Sequence, residues 1–161
     1  MSVISPAIAA KELLSRRAAR VKLSAWMEYR DAGLQPARHH QLLIDHLEAV
    51  ERGEITRLMV CMPPGSAKST YTSVEFPPWF LGRNPALNII AASHTQELAE
   101  RFGRRVRNIV GSDEFRAVYG FGLSADSTAA GRWDTEKGGE YYAAGVGGSI
   151  TGRRADLVVI D

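Results

Sequence analysis

Apolar residues recur at helical spacing in three parts of the chain. A broken apolar stripe runs through residues 5–29, with arginines on the opposite side, and predicts a first helix. Residues 39–51 carry a second stripe that ends at Gly53, and glycine commonly follows the last turn of a helix. The clearest repeat lies in residues 96–110, where large apolar residues return every three or four positions.

Short, uninterrupted apolar runs alternate with these helical segments. The runs at residues 58–62, 87–92 and 157–160 predict strands that are buried on both faces, as in a parallel sheet. Residues 129–134 and 140–144 predict two more strands, joined by a glycine-containing turn. We therefore expect an α/β fold around a mainly parallel sheet, preceded by N-terminal helices.

The composition is that of one soluble globular domain. Of the 161 residues, 45% are hydrophobic and 24% are charged, and the net charge of +2 does not by itself require a nucleic-acid partner. The single cysteine, Cys61, excludes an internal disulfide, fits a reducing cytosol and lies in an apolar run where we expect it to be buried. No run approaches the ~20 apolar residues of a membrane span, and the N-terminal charges are not arranged as in a signal peptide.

The strongest chemical signal is the segment Pro-Pro-Gly-Ser-Ala-Lys-Ser-Thr at residues 63–70, here called the 63–70 loop. It follows a predicted strand and opens a helix that we expect to end before Pro77. The N–H groups at a helix N-terminus are unpaired, and the helix dipole favours an anion there. We expect the loop to hold the phosphates of ATP and to place a Mg²⁺ ion. The residues in these roles are Gly65, Ser66, Ala67, Lys68, Ser69 and Thr70, with Lys68 on the β- and γ-phosphates and the Ser69 hydroxyl on Mg²⁺.

The loop departs from the pattern G-x-x-x-x-G-K-[ST] at two positions. Met62 stands at the first glycine and Ala67 at the second. The methyl group of Ala67 crowds the loop, so we expect its backbone to stay in a region open to alanine. An ordinary strand-to-helix turn with an N-terminal lysine is the alternative interpretation.

A carboxylate follows the last apolar run. Asp161 comes directly after the predicted strand at residues 157–160, where it would emerge at the carboxyl edge of the sheet. A phosphate-binding loop needs an acidic residue there to orient Mg²⁺, usually through water. We therefore assign Asp161, with Ser69, to the magnesium site.

These motifs, in this order, resemble the large subunit of tailed-phage terminases, the motor that packages viral DNA. The resemblance covers about residues 35–161. The similar segments are residues 36–41, 53–55, 62–69, 91–99 and 145–156, of which 62–69 looks like that family's variant of the phosphate loop and 145–156 like its glycine-rich loop before the acidic strand.

The resemblance implies a RecA-like P-loop ATPase of the ASCE class, a three-layer αβα sandwich with a mainly parallel sheet. Such a domain hydrolyses Mg-ATP to move double-stranded DNA. It implies an N-terminal helical segment at residues 1–52 and an ATPase core at residues 53–161. It also implies a homo-oligomeric ring, a small terminase subunit and a portal protein as partners, no membrane, and the cytoplasm of a host bacterium as the compartment.

In that family the catalytic glutamate, a coupling motif and a nuclease domain follow the acidic strand. The sequence stops at Asp161. We therefore expect a fragment truncated at this strand, without nuclease activity and with weak or no ATP turnover.

Three further residues have two interpretations each. Gln41 either reads the adenine edge or lies on a solvated helix face. Arg153 and Arg154 either include a residue that stabilises the γ-phosphate or are surface arginines. Three arginines share one face of the predicted helix at residues 96–110: Arg101, Arg104 and Arg105. This face either contacts DNA phosphates or a neighbouring subunit, or it is an ordinary solvated surface.

Two other functions remain open. One is a helicase-like or kinase-like P-loop enzyme. The other is a nucleotide-binding or assembly module without turnover. The four histidines have no cysteine or carboxylate partners at metal-ligand spacing, so no zinc site is expected.

Overall fold

A computed structural model describes residues 5–126, 129–148 and 150–161. The helices of this part are α1 (Pro6–Val21), α2 (Leu23–Arg30), α3 (Arg38–Glu51), a π-helical turn (Thr70–Glu75) that continues into α4 (Phe76–Arg83), α5 (Gln96–Val110) and α6 (Asp113–Tyr119). The strands are β1 (Ile89–Ser93), β2 (Arg132–Asp134), β3 (Glu140–Gly145) and β4 (Leu157–Ile160).

The strands form one mixed sheet in the order β2-β3-β1-β4. β1 pairs in parallel with β3 on one side and with β4 on the other, whereas β2 is antiparallel to β3. The α/β class and the largely parallel sheet are therefore as predicted. The helix α5 packs against β1 and β3, so the strands at the centre of the sheet have a helix on one face.

One buried apolar cluster joins the N-terminal helices to the sheet. It includes Leu23 and Trp26 of α2, Leu47 of α3, Val106 of α5 and Tyr141 of β3. All three tryptophans are less than 2% exposed, as expected of large aromatic side chains in a core: Trp26, Trp79 and Trp133. No helix within the described residues is both long enough and apolar enough to cross a bilayer.

The first predicted helix is divided at Lys22. The backbone of Lys22 is extended, with φ −119° and ψ 129°, so α1 ends and α2 begins there. The carboxylate of Glu48, only 3% exposed, accepts a hydrogen bond of 2.7 Å from the N–H of Leu23 and one of 3.2 Å from the Lys22 ammonium. A buried acid from α3 thus satisfies a free N–H at the start of α2, where a negative charge is favoured.

The prediction of a buried strand at residues 58–62 is wrong. These residues form no strand and pair with no described strand, and Met59 is 88% exposed. Leu58, Val60 and Met62 pack against the core, while Met59 and Cys61 face outward, so the expectation that Cys61 is buried is also wrong. An apolar run is buried on both faces only where the sheet continues beside it, and a cleft of about 600 Å³ separates this segment from β4.

The helix that begins at Lys68 does not end before the two prolines, contrary to the prediction. It passes through the π-helical turn and continues as α4, with Pro77 and Pro78 in its first turn. The first N–H groups of a helical stretch need no partner within it, so proline is tolerated there. The wider turn before Phe76 starts a new hydrogen-bond register and makes these positions equivalent to a helix start.

Candidate functional site

The 63–70 loop is a tight turn that leads into a helix. The N–H of Ser66 donates to the carbonyl of Pro63 at 3.2 Å, and the carbonyl of Ala67 accepts from Thr70 and Tyr71 at 2.9 and 3.2 Å. Gly65 has φ 79° and Ala67 has φ 58°. The expectation that Ala67 keeps to a region open to alanine holds only narrowly, because left-handed backbone is rare for alanine and costs it about 1 kcal/mol or more.

Several polar groups of the loop have no partner within the described part of the chain. No described carbonyl accepts a hydrogen bond from the N–H groups of Ala67, Lys68 or Ser69. The hydroxyl oxygen of Ser66 is buried, and no partner for it lies among the described residues. Unpaired N–H groups at a helix start, in a loop with left-handed residues, are the usual means by which a backbone binds an anion.

Lys68 and Asp161 meet although 92 positions lie between them in the sequence. The Lys68 ammonium lies 2.6 Å from Oδ1 of Asp161, and the two side chains are 31% and 15% exposed. Asp161 directly follows β4, and its N–H donates to the carbonyl of Ala92, so its backbone continues the pairing with the β1 side of the sheet. The fold therefore brings the end of the loop and the carboxyl edge of the sheet to one point.

Three side chains act on the carboxylate of Asp161. Burial by itself raises the pKa of this carboxyl, but the hydrogen bonds from Lys68, Ser69 and Ser73 outweigh burial and hold the pKa below its ordinary value. The Ser73 hydroxyl donates to Oδ2 at 2.9 Å. Asp161 is therefore a carboxylate at neutral pH, with a cation and hydroxyl groups around it.

Ser73 is a member of this cluster that the sequence analysis missed. It lies four residues after Ser69, on the π-helical turn, and residues at that spacing share a helix face. The four-residue spacing from Ser69 is therefore the sequence signal that could have identified Ser73 as part of the site. The neighbouring hydroxyl of Thr72 donates to the carbonyl of Lys68 at 3.0 Å, as a threonine inside a helix often does.

The other predicted site residues lie elsewhere. The side-chain amide of Gln41 is exposed and donates to Asp45, one turn further along α3, at 2.9 Å. Arg153 donates to Glu140 of β3 at 2.8 Å, and its guanidinium lies 3.7 Å from the centroid of the Tyr142 ring. Arg154 is exposed. The structure thus brings Lys68, Ser69 and Asp161 together. Within the described part of the chain, it shows no hydrogen bond or ion pair from Gln41, Arg153 or Arg154 to the 63–70 loop.

A cleft of about 930 Å³ lies beside the 63–70 loop, between it and α3. Its lining is mainly apolar and includes Leu42, Met59 and Pro64, with the imidazoles of His40 and His46 as polar groups. Among the described residues no group of three or more histidines, cysteines or acidic residues is arranged to hold a metal ion. A magnesium ion at Asp161 would therefore rely on few protein ligands, which is usual for Mg²⁺.

The arginine face of α5 is exposed. Arg101, Arg104 and Arg105 all lie on the solvent side of the helix, whose opposite side packs on the sheet. The helix begins at an N-cap, Thr95, whose hydroxyl accepts from the N–H of Leu98 at 3.2 Å.

Comparison with protein-family models, with curated proteins and with solved structures gave no match. The geometry itself defines the class of site: a helix start whose first N–H groups have no carbonyl partner among the described residues, a lysine, and a carboxylate at the end of a parallel strand. The function proposed below therefore depends on this geometry and on the sequence motifs.

Proposed function

We propose that this chain binds Mg-ATP through the 63–70 loop, as a P-loop nucleotide-binding domain. The observation that carries the proposal is the contact between Lys68 and Asp161. A lysine at the first turn of the helix and a carboxylate at the end of a neighbouring parallel strand are the two groups that such a domain needs, and they lie 2.6 Å apart.

The donor set at this point fits a phosphate and a hard cation. The unpaired N–H groups of Ala67, Lys68 and Ser69 and the Lys68 ammonium suit phosphate oxygens. The Ser69 hydroxyl and the Asp161 carboxylate supply the oxygen ligands that Mg²⁺ prefers. Bound there, the ion would offset charge on the phosphates, while the chain's own residues bind and orient them.

More specifically, we propose that the chain is the ATPase domain of a terminase large subunit that moves double-stranded DNA. This more specific assignment rests on the order of the sequence motifs, from residues 36–41 to the glycine-rich loop at residues 145–156. Within that loop, Ser149 lies outside the described residues. The mixed α/β sheet is compatible with a RecA-like αβα sandwich. In a motor, Gln41 would have to leave Asp45 to act on the nucleotide, and Arg153, in that role, would have to leave Glu140.

Equilibrium binding of a fluorescent ATP analogue tests the nucleotide site. We expect the chain to bind the analogue in the presence of Mg²⁺ and Lys68→Ala to lose detectable binding, because a charged phosphate contact disappears. Lys137→Ala is the matched control, since this exposed lysine in the turn before β3 lies outside the site and should leave the affinity unchanged. Equal affinity for wild type and Lys68→Ala would refute the proposal.

Binding of duplex DNA separates a motor from the kinase-like and assembly-module alternatives. We expect a labelled duplex to bind at low salt and to be released as salt rises, because contacts to phosphates release counterions. Replacing Arg101, Arg104 and Arg105 together by glutamine should weaken binding about tenfold or more and flatten the salt dependence. A duplex affinity that is undetectable at every salt concentration would favour a kinase-like enzyme or an assembly module, with the nucleotide site intact.

A further inference from the structure

His40 connects α3 to the 63–70 loop. Its Nε2 lies 2.9 Å from the main-chain oxygen of Ser66, and its ring stacks on that of buried Tyr71, with 4.5 Å between the ring centroids and 22° between the planes. A carbonyl oxygen only accepts, so Nε2 of His40 carries the proton in this bond. The Nε2 of His39 lies 3.0 Å from the Nε2 of His40. Because the His40 nitrogen carries a proton, the His39 nitrogen must present a lone pair to it.

The bond acts on the peptide that joins Ser66 to Ala67. This peptide is trans and planar, so holding the carbonyl of Ser66 also sets the direction of the Ala67 N–H, which points the opposite way. That N–H is one of the loop donors without a described carbonyl partner. Ala67 itself has φ 58°, a conformation that alanine populates at least about fivefold less than its ordinary ones.

We propose that His40 is a positioning residue for this loop: its hydrogen bond to Ser66 keeps Ala67 left-handed and its N–H directed away from α3, ready for a phosphate oxygen. The inference rests on the proposed function, because it gives a residue of α3 a role in the same site. Stacking on Tyr71 holds the imidazole in place, and Tyr71 is the residue whose N–H bonds to the Ala67 carbonyl.

Without this bond the loop is free to relax. Ala67 would return to a more populated conformation, and a bound phosphate would have to restore the left-handed one. A binding-competent state that is only partly populated lowers the apparent affinity by its fraction. We therefore expect nucleotide affinity to fall about five- to tenfold when the His40 donor is removed.

The variant His40→Phe keeps a ring to stack on Tyr71 and removes the donor. Its matched control is His46→Phe, since His46 lies on the same helix and lines the same cleft, while its hydrogen bond is to Leu42 of its own helix, at 2.8 Å, and not to the 63–70 loop. With the fluorescent ATP analogue and Mg²⁺, His40→Phe should bind five- to tenfold more weakly, and His46→Phe should bind within about twofold of wild type.

A double-mutant cycle with Ala67→Gly separates positioning from general packing. Glycine adopts a positive φ at no steric cost, so the loop no longer needs His40 to hold it there. The loss caused by His40→Phe should shrink to about twofold in the Ala67→Gly background. A merely structural role for His40 would give the same loss in both backgrounds.

Two further variants keep the inference testable if His40→Phe does not fold. His40→Gln retains an N–H donor, whereas His40→Met has a similar length and none, so the glutamine variant should bind more tightly than the methionine variant. Equal affinity for these two, or an undiminished loss in the Ala67→Gly background, would overturn the role of His40 alone. Failure of the wild-type chain to bind the analogue would overturn the proposed function, and this inference with it.

Discussion

Two points on the carboxyl edge of the sheet, one on each side of β1, are held in different ways. At the end of β3, Gly145 lies directly against the start of α5, and its N–H donates to the side chain of Gln96 at 2.7 Å. At the end of β4, Asp161 reaches the 63–70 loop through side chains, at 2.6 Å to Lys68 and 2.9 Å to Ser73. At the first point two backbones lie against each other, with one side-chain hydrogen bond beside them, and at the second the contact is between polar side chains.

This difference between the ends of β3 and β4 indicates which part of the sheet edge can exchange its contacts for others. A methyl group on Gly145 would lie 2.3 Å from the nitrogen of Gln96, so there is no room for adjustment between β3 and α5. Around Asp161 the contacts join side chains, so rotation of side chains is enough for Lys68 and Ser73 to donate to a phosphate and for the carboxylate to coordinate a cation. An anion site needs such replaceable partners, and it needs a fixed support beside them.

Replacing Gly145 by alanine should have the largest effect on stability. We expect Gly145→Ala to lower the free energy of unfolding by about 3 kcal/mol, because the new methyl group overlaps backbone atoms that cannot rotate away. Urea unfolding followed by circular dichroism measures this change.

Gly65→Ala is the matched control for that substitution. Gly65 has φ 79°, but a methyl group there would meet no atom within 4 Å, so only the backbone preference is lost. We expect about 1 kcal/mol of destabilisation. A Gly145→Ala variant that is no less stable than Gly65→Ala would mean that the contact between β3 and α5 is as adjustable as the 63–70 loop.

Local sequence signals account for much of the fold. The helix at residues 96–110 was predicted with the bounds that the structure shows, because it has its own cap at Thr95 and a complete apolar stripe. The strands β1 and β4 were each predicted within two residues, since short apolar runs between helices are typical of parallel strands. The strand β3 was predicted within one residue from the glycine-containing turn before it.

What the sequence analysis missed depends on partners far along the chain. The break at Lys22 needs the carboxylate of Glu48, and the unpaired segment at residues 58–62 needs knowledge of which sheet edge lies beside it. The short helix α6 was not predicted, and its seven residues carry too little periodicity for a helical pattern.

The candidate site also has residues that the sequence predicts and residues that it does not. Residue type and position beside predicted strands and helices are enough to predict Lys68, Ser69 and Asp161 as site residues. Ser73 and His40 do not, because their contacts depend on a π-helical turn and on the approach of α3 to the loop. The positive φ of Ala67 could not be predicted either, because the sequence pattern shows only that this position lacks the usual glycine.

Replacing Asp161 by asparagine should have a smaller effect, and one that depends on pH. The folded-state pKa of Asp161 lies below its ordinary value of 3.8, so the carboxylate stabilises the fold fully above that value. This contribution is lost as pH falls through the lowered folded-state pKa. We expect Asp161→Asn to cost about 1 kcal/mol at pH 7, because the pair is only partly exposed, and progressively less as the pH falls through the lowered folded-state pKa.

Urea unfolding of wild type and variant from pH 7 to pH 2 measures this difference, and subtraction removes the titration of the other carboxyl groups. Lys68→Met should show the same loss at pH 7, and the double variant should lose little more than either single one. Gly145→Ala should remain destabilising by the same amount at every pH, because its cause is steric. A difference between wild type and Asp161→Asn that does not shrink as the pH falls would show that the end of β4 is held by packing, as the end of β3 is, and not by its charge.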